Sequence, residues 1–201
     1  MKLVYSPASP FVRKVLVCLD ETGQTDDVEL VQVKTSPVAT ADEVASANPL
    51  GKIPALIRTD GPAIYDSRVI TRFLDARAGG GLYPDARIWE TLTLEATADG
   101  IMDAAVSITY ETRLRPADKV FDGWMDAQWA KVTRALDALE GRWMSHLSGP
   151  LDMGQIAVCC ALGYLDFRHD ARNWRQGRVA LAEWHARFAE RPAMATTQPR
   201  D

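Results

Sequence analysis

The chain has 201 residues and a mass of 22.2 kDa; 47% of its residues are hydrophobic and 25% charged, with a net charge of −4 and a pI near 5.4. That is enough chain for one large domain or two small ones around a core that needs neither metal nor disulfide staples. The acidic balance argues against general nucleic-acid binding, no run of about 18 apolar residues offers a membrane span, and no signal segment opens the sequence, so the cytoplasm is the expected compartment.

Lys2 to Tyr5 reads as a short apolar strand. Pro10 to Glu21 places Phe11, Val15, Cys18 and Leu19 at helical spacing, and Gly23 supplies a stop. Val28 to Val33 reads as a second strand, followed by a polar segment, Lys34 to Ala47, with room for a short helix. Pro54 to Arg58 and Pro62 to Tyr65 read as two strands of a hairpin around Asp60-Gly61. Ser67 to Ala78 is helical again. The order β-α-β-(α)-β-β-α describes a small α/β domain over residues 1–78.

Strand signals stop after the triplet Gly79-Gly80-Gly81. Asp85 to about Arg115 is a long helical stretch ended by Pro116, and Asp118 to Leu147 repeats apolar residues every three to four positions. Ile156 to Leu165 is apolar almost all round, as a helix at the centre of a bundle should be. Asp152 and Gln155 form a capping-box pattern ahead of it, and Val179 to Glu190 closes the set before Arg191-Pro192. Residues 85–201 are therefore expected to form an all-helical domain.

Three junctions can carry chemistry. Ser9-Pro10 sits where the first strand meets its helix. Serine is a good N-cap and proline suits the first helical position, but the same hydroxyl beside unpaired N–H groups could bind a thiolate. Pro54 precedes an apolar strand. It is either an ordinary trans turn proline or a cis one that turns the Ile53 N–H and C=O toward an extended peptide ligand. Asp66-Ser67 again joins strand to helix: as caps, or as acceptor for an ammonium (Asp66) and donor to a carboxylate (Ser67). An amino-acid head group carries both charges.

The remaining polar residues are less pointed. His146, His169 and His185 lie far apart with no carboxylate or cysteine at ligand spacing, so no metal site is expected. Cys18, Cys159 and Cys160 fall in apolar helical pattern and read as reduced core thiols. Asp103, Tyr110, Glu111 and Arg113 read as a solvated helix face.

Taken in order, the strand–SPASPFVRKV–helix opening, NPLGKIPAL, YDSRVI and the closing HARFAERPAM resemble the cytosolic glutathione S-transferase family of bacteria, along essentially the whole chain. The resemblance implies a thioredoxin-like N-terminal domain that binds glutathione as co-substrate, an all-α C-terminal domain that completes a pocket for a small electrophile, and a homodimer. It places Ser9 at the residue that activates the thiol, Ile53 and cis Pro54 beside the cysteinyl moiety, and Asp66 with Ser67 at the γ-glutamyl end. Lys34 and Lys52 become candidates for the glycyl carboxylate, and Tyr110 and Arg113 for the second-substrate pocket. Tyr5 is a rival thiol-activating hydroxyl. Many relatives carry cysteine at the Ser9 position and exchange disulfides; that chemistry needs a protein thiolate, so its absence here favours transfer. A peroxidase, isomerase, reductive dehalogenase or non-catalytic binding protein would use the same first site.

Overall fold

The computed structural model describes all residues 1–201 and divides into two compact units. The first comprises Met1–Ile88 with Pro192–Asp201, the second Trp89–Arg191.

In the first unit the elements are β1 (Lys2–Tyr5), α1 (Pro10–Glu21), β2 (Glu29–Gln32), α2 (Asp42–Ala47), β3 (Ala55–Ile57) and α3 (Ser67–Arg77). The sheet order is β2-β1-β3, parallel between β1 and β2 and antiparallel between β1 and β3. Leu3 and Val4 are both buried, as a central strand covered on both faces requires. Helices α1 and α3 pack together, contributing Val12, Val15, Leu19, Ile70 and Leu74 to the core. The second arm of the expected hairpin, Pro62 to Tyr65, is a correction: it forms one bridge, with Leu56 and Ile64 exchanging N–H···O bonds of 3.0 and 2.9 Å. Pro62 has no N–H to extend a ladder, and β3 offers only three residues to pair with. The chain's end returns to this unit, where α9 (Pro192–Thr196) packs on α1.

The second unit is helical: α4 (Ile88–Leu114, its first residue still counted with the first unit), α5 (Asp122–Ala138), α6 (Met144–Leu147), α7 (Met153–His169) and α8 (Val179–Phe188). The expected helix from Asp118 to Leu147 is shorter at its start and broken inside. Residues Ala117–Lys119 form a 3₁₀ turn, and the Phe121 N–H is held by the Glu111 carboxylate at 3.1 Å, so α5 begins at Asp122. A π-helical turn over Leu139–Trp143 then separates α5 from α6. The Glu140 carboxylate from that turn accepts from the N–H groups of Ala180 and Leu181, capping α8, which has no cap of its own. Helix α7 is buried along almost its whole length and starts on the expected box: Asp152 accepts from Gln155 N at 3.2 Å, and Gln155 accepts from Asp152 N at 3.1 Å.

Candidate functional site

Sheet register gathers the junctions. Val4 pairs with Ala55 in the antiparallel direction, so continuing β1 past Tyr5 runs alongside Pro54 and Ile53. Leu56 bridges Ile64, so the same step brings Tyr65 and Asp66 level with Ala55 and Pro54. Tyr5 pairs with Gln32 in the parallel direction, and Val33 N–H donates to Tyr5 O at 2.9 Å, which sends Lys34 out at that end too. Ser9, Lys34, Ile53-Pro54 and Asp66-Ser67 thus all leave one end of the sheet.

Ser9 is the N-cap of α1, with extended backbone angles and Pro10 at the first helical position. Its Oγ accepts from Val12 N at 3.3 Å. A hydroxyl has two lone pairs and one proton, so the cap uses a lone pair and the O–H remains to donate. The two uses considered from sequence are therefore compatible. Tyr5, the rival, directs its hydroxyl across the sheet to Gln32 Oε1 at 3.3 Å.

The Ile53–Pro54 peptide bond is cis, and so is Tyr65–Asp66. Ile53 lies beyond the last β1–β3 pair and is half-buried, while Pro54 is buried. The loop ahead of them is braced by the buried Asn48, whose side chain accepts from Leu50 N at 3.0 Å and donates to Lys52 O at 2.8 Å. Gly51 adopts φ +65°, and a Cβ there would stand 3.1 Å from the Thr40 side chain. Lys52 and Lys34 are exposed.

Asp66 caps α3 through a 3.0 Å bond from Arg68 N, and its other oxygen receives Arg68 Nη2 at 2.9 Å. Burial pushes its pKa up, but the Arg68 guanidinium and N–H together with Lys14 outweigh that and hold it below the ordinary value. Ser67 is buried at the first position of α3. Lys14, fully buried on α1, is a residue that sequence reasoning missed. Its field reaches Asp66 and adds positive charge at this end of the sheet.

In the second unit Tyr110 and Arg113 lie exposed on the last turns of α4, where partial burial pushes the Tyr110 phenol up. The histidines are taken up locally: His146 Nε2 donates to the buried Asp152 at 2.7 Å, and His169 Nε2 donates to Ala105 O at 2.9 Å. The three cysteines are free and buried, and no group of three His, Cys, Asp or Glu is arranged to hold a metal ion. No helix is long and apolar enough to cross a membrane.

Residues 8–77 match the family model of the glutathione S-transferase N-terminal domain, and residues 122–187 that of the C-terminal domain. The chain is 34% identical over 205 residues to YibF of Escherichia coli (strain K12), an uncharacterized GST-like protein, covering 99% of this chain and 98% of that one. It is also similar to a glutathione transferase family member from Pseudomonas fluorescens Pf-5 solved with bound glutathione. The identity is 46% and the TM-score 0.97, with 100% of this chain and 99% of the other covered. A second structure of that family member, with bound S-(propanoic acid)-glutathione, superposes with a TM-score of 0.92 at 46% identity over the full length of both chains.

Proposed function

The chain belongs to the glutathione S-transferase family, and from that premise we propose that it conjugates the thiolate of glutathione to a small electrophile. The observation that carries this reading is the Ser9 hydroxyl on the N-terminus of α1, with a proton to donate and the first N–H groups and positive dipole end of the helix beside it. Such a place favours thiolate over thiol, lowering the thiol pKa toward neutrality, so that the proton leaves to solvent and the sulfur lone pair attacks the electrophile, whose leaving group departs to solvent as an anion with the displaced bonding pair. Tyr5, engaged with Gln32, fits the role less well. Support for transfer rather than exchange comes from the absence of cysteine at this junction and from the relative that holds a glutathione thioether.

In this reading residues 1–78 hold glutathione: Ile53 pairs through its backbone with the cysteinyl unit beside Pro54, Asp66 takes the γ-glutamyl ammonium, and Ser67 with the α3 N-terminus takes its carboxylate. Lys34 and Lys52 meet the glycyl carboxylate. Tyr110 and Arg113, in the helical domain assigned to residues 85–201, contact the electrophile. The protein works as a cytoplasmic homodimer and needs no metal.

The test is an ultraviolet titration of bound glutathione with the intact protein and with Ser9→Ala. The thiol pKa should rise by about one unit or more in the variant, the magnitude of one lost charge-assisted hydrogen bond. An unchanged pKa removes Ser9 from the mechanism.

A further inference from the structure

Three contacts fix how α1 and α3 lie against each other. Cys18 Sγ donates to Thr71 O at 3.8 Å, Gln24 Nε2 donates to Leu74 O at 2.8 Å, and Arg77 Nη2 pairs with the Asp27 carboxylate at 2.7 Å. Later residues of one segment thus meet later residues of the other, so the two helices run parallel. One turn back from Cys18 and Thr71, Lys14 on α1 comes level with Ser67 on α3. Thr71 marks that turn, its Oγ1 donating to Ser67 O at 2.9 Å.

Lys14 and Ser67 are both buried, at 0% and 2% exposure. A helical side chain leans toward the N-terminus of its own helix, which carries the Lys14 ammonium toward the first turns of α1 and α3. Its attraction for the Asp66 carboxylate agrees with that position. Other cations of the region are differently engaged: Arg13 donates to Met194 O, Arg68 pairs with Asp66, and Lys34 and Lys52 are exposed. A buried ammonium costs desolvation that a surface lysine does not, and it supplies in return a charge that salt screens little.

In the glutathione-binding reading a ligand carboxylate sits at Ser67, the residue next to Asp66, so two like charges meet within one helical turn. We propose that Lys14 determines the selectivity of this position for an acid: from behind the first turns of α1 and α3 its ammonium offsets the Asp66 charge and favours the γ-glutamyl α-carboxylate over a neutral group of the same shape. The effect is one of field and needs no free N–H on Lys14. This role rests on the glutathione-binding reading and is independent of the transfer step.

The probes are S-methylglutathione, which has no thiol to activate, and its counterpart with the glutamyl α-carboxylate replaced by a carboxamide, each titrated calorimetrically into the full chain. The parent should bind the acid about tenfold or more tightly than the amide. Lys14→Met, which keeps much of the stem, should weaken the acid about tenfold and the amide less than about twofold, so that the preference collapses, while Lys14→Arg should retain it. Thermal melts establish that each variant is folded. A salt series on the parent needs no variant: a preference set by a buried cation should change less than about threefold between about 0.05 and 0.5 M salt, whereas one set by the exposed Lys34 and Lys52 should fall away. A folded Lys14→Met protein that loses both probes equally or keeps the preference, or a parent preference that salt abolishes, would overturn the role of Lys14 alone. Failure of the parent to bind either probe would overturn the glutathione-binding reading, and the role of Lys14 with it.

Discussion

Ser9 Oγ receives the N–H of Val12 at 3.3 Å, so one oxygen both closes the first turn of α1 and keeps its proton for a ligand. Cap and ligand contact can therefore be separated by substitution. Ser9→Ala should lose both: about 1 kcal/mol of stability, a fall in Tm of roughly 2–4 °C, and a fall in conjugation kcat/KM of about 10- to 100-fold. Ser9→Asp keeps a strong cap but sets a carboxylate against the sulfur; its Tm should stay near that of the parent while turnover is lost. Equal melting of all three proteins would remove the cap, and normal turnover of Ser9→Asp would remove the sulfur contact.

Asp66 shows the same double use. Its carboxylate caps α3 through Arg68 N and pairs with the Arg68 guanidinium. Asparagine caps as well as aspartate, so Asp66→Asn should melt within about 1–2 °C of the parent while the KM for glutathione rises about tenfold, the ammonium having lost its anion. Because the Asp66 pKa is held below its ordinary value, the carboxylate stays ionised down through mildly acidic pH. Glutathione affinity should accordingly be flat from about pH 7 to pH 5 as far as this group is concerned. An unchanged KM in Asp66→Asn would sink the assignment.

The residues that announced themselves in the sequence are those whose signal is local. Pro10, Ser9 and the apolar spacing set α1 from Pro10 to Glu21, and Asp152 with Gln155 marks where α7 begins. The three strand-to-helix junctions are local too, and sheet register then carries them to one end. What stayed hidden depends on packing between distant segments. Lys14 belongs to an amphipathic helix where a lysine reads as solvated, and its burial follows only once α1 meets α3. Arg168 and Arg172 read as ordinary cations until the ends of α7 and α4 bring them beside Arg113. The π turn at Leu139–Trp143 interrupts a helical pattern that runs through it without a proline. The return of residues 192–201 to the first unit has no local mark at all.

His169 gives a pH dependence with a defined sign. Burial, with Arg172 and Arg168, lowers its pKa below the ordinary value despite the hydrogen bond to Ala105, whereas the unfolded chain titrates near 6.5. Between those two values the unfolded state binds more protons, so stability falls as pH drops from about 6.5 to the folded pKa and levels off below it. Tm measured between about pH 7 and pH 5 should fall less steeply for His169→Gln than for the parent. Parallel curves would show that this histidine is not the group responsible.

Gly154, in the first turn of α7, has no space for a side chain. A Cβ there would lie 2.8 Å from Leu94 Cβ, 3.1 Å from Thr91 O and 3.2 Å from Asp152 Oδ1. All three neighbours are buried, and Asp152 is tied into the capping box and to Thr91 and His146. Gly154→Ala should therefore cost about 1–3 kcal/mol in urea denaturation even though alanine is the better helix former. A stabilised variant would mean that α4 and α7 part more easily than their contacts indicate.

The final residues carry a partner for a buried cation. Arg13 is 5% exposed on α1, and its Nη2 donates to Met194 O at 2.9 Å while Nε has no hydrogen-bond partner. Met194 and Ala193 are themselves buried against this unit. Deleting residues 192–201 would expose the surface that Met194 covers and leave the guanidinium without its carbonyl. The expected cost is about 3–5 kcal/mol, summed from one buried methionine and one hydrogen bond to a charged group. Met194→Ala keeps the carbonyl and should cost less, about 2–3 kcal/mol. A loss in the deleted chain no larger than in Met194→Ala would mean that the Met194 carbonyl adds nothing beyond apolar burial.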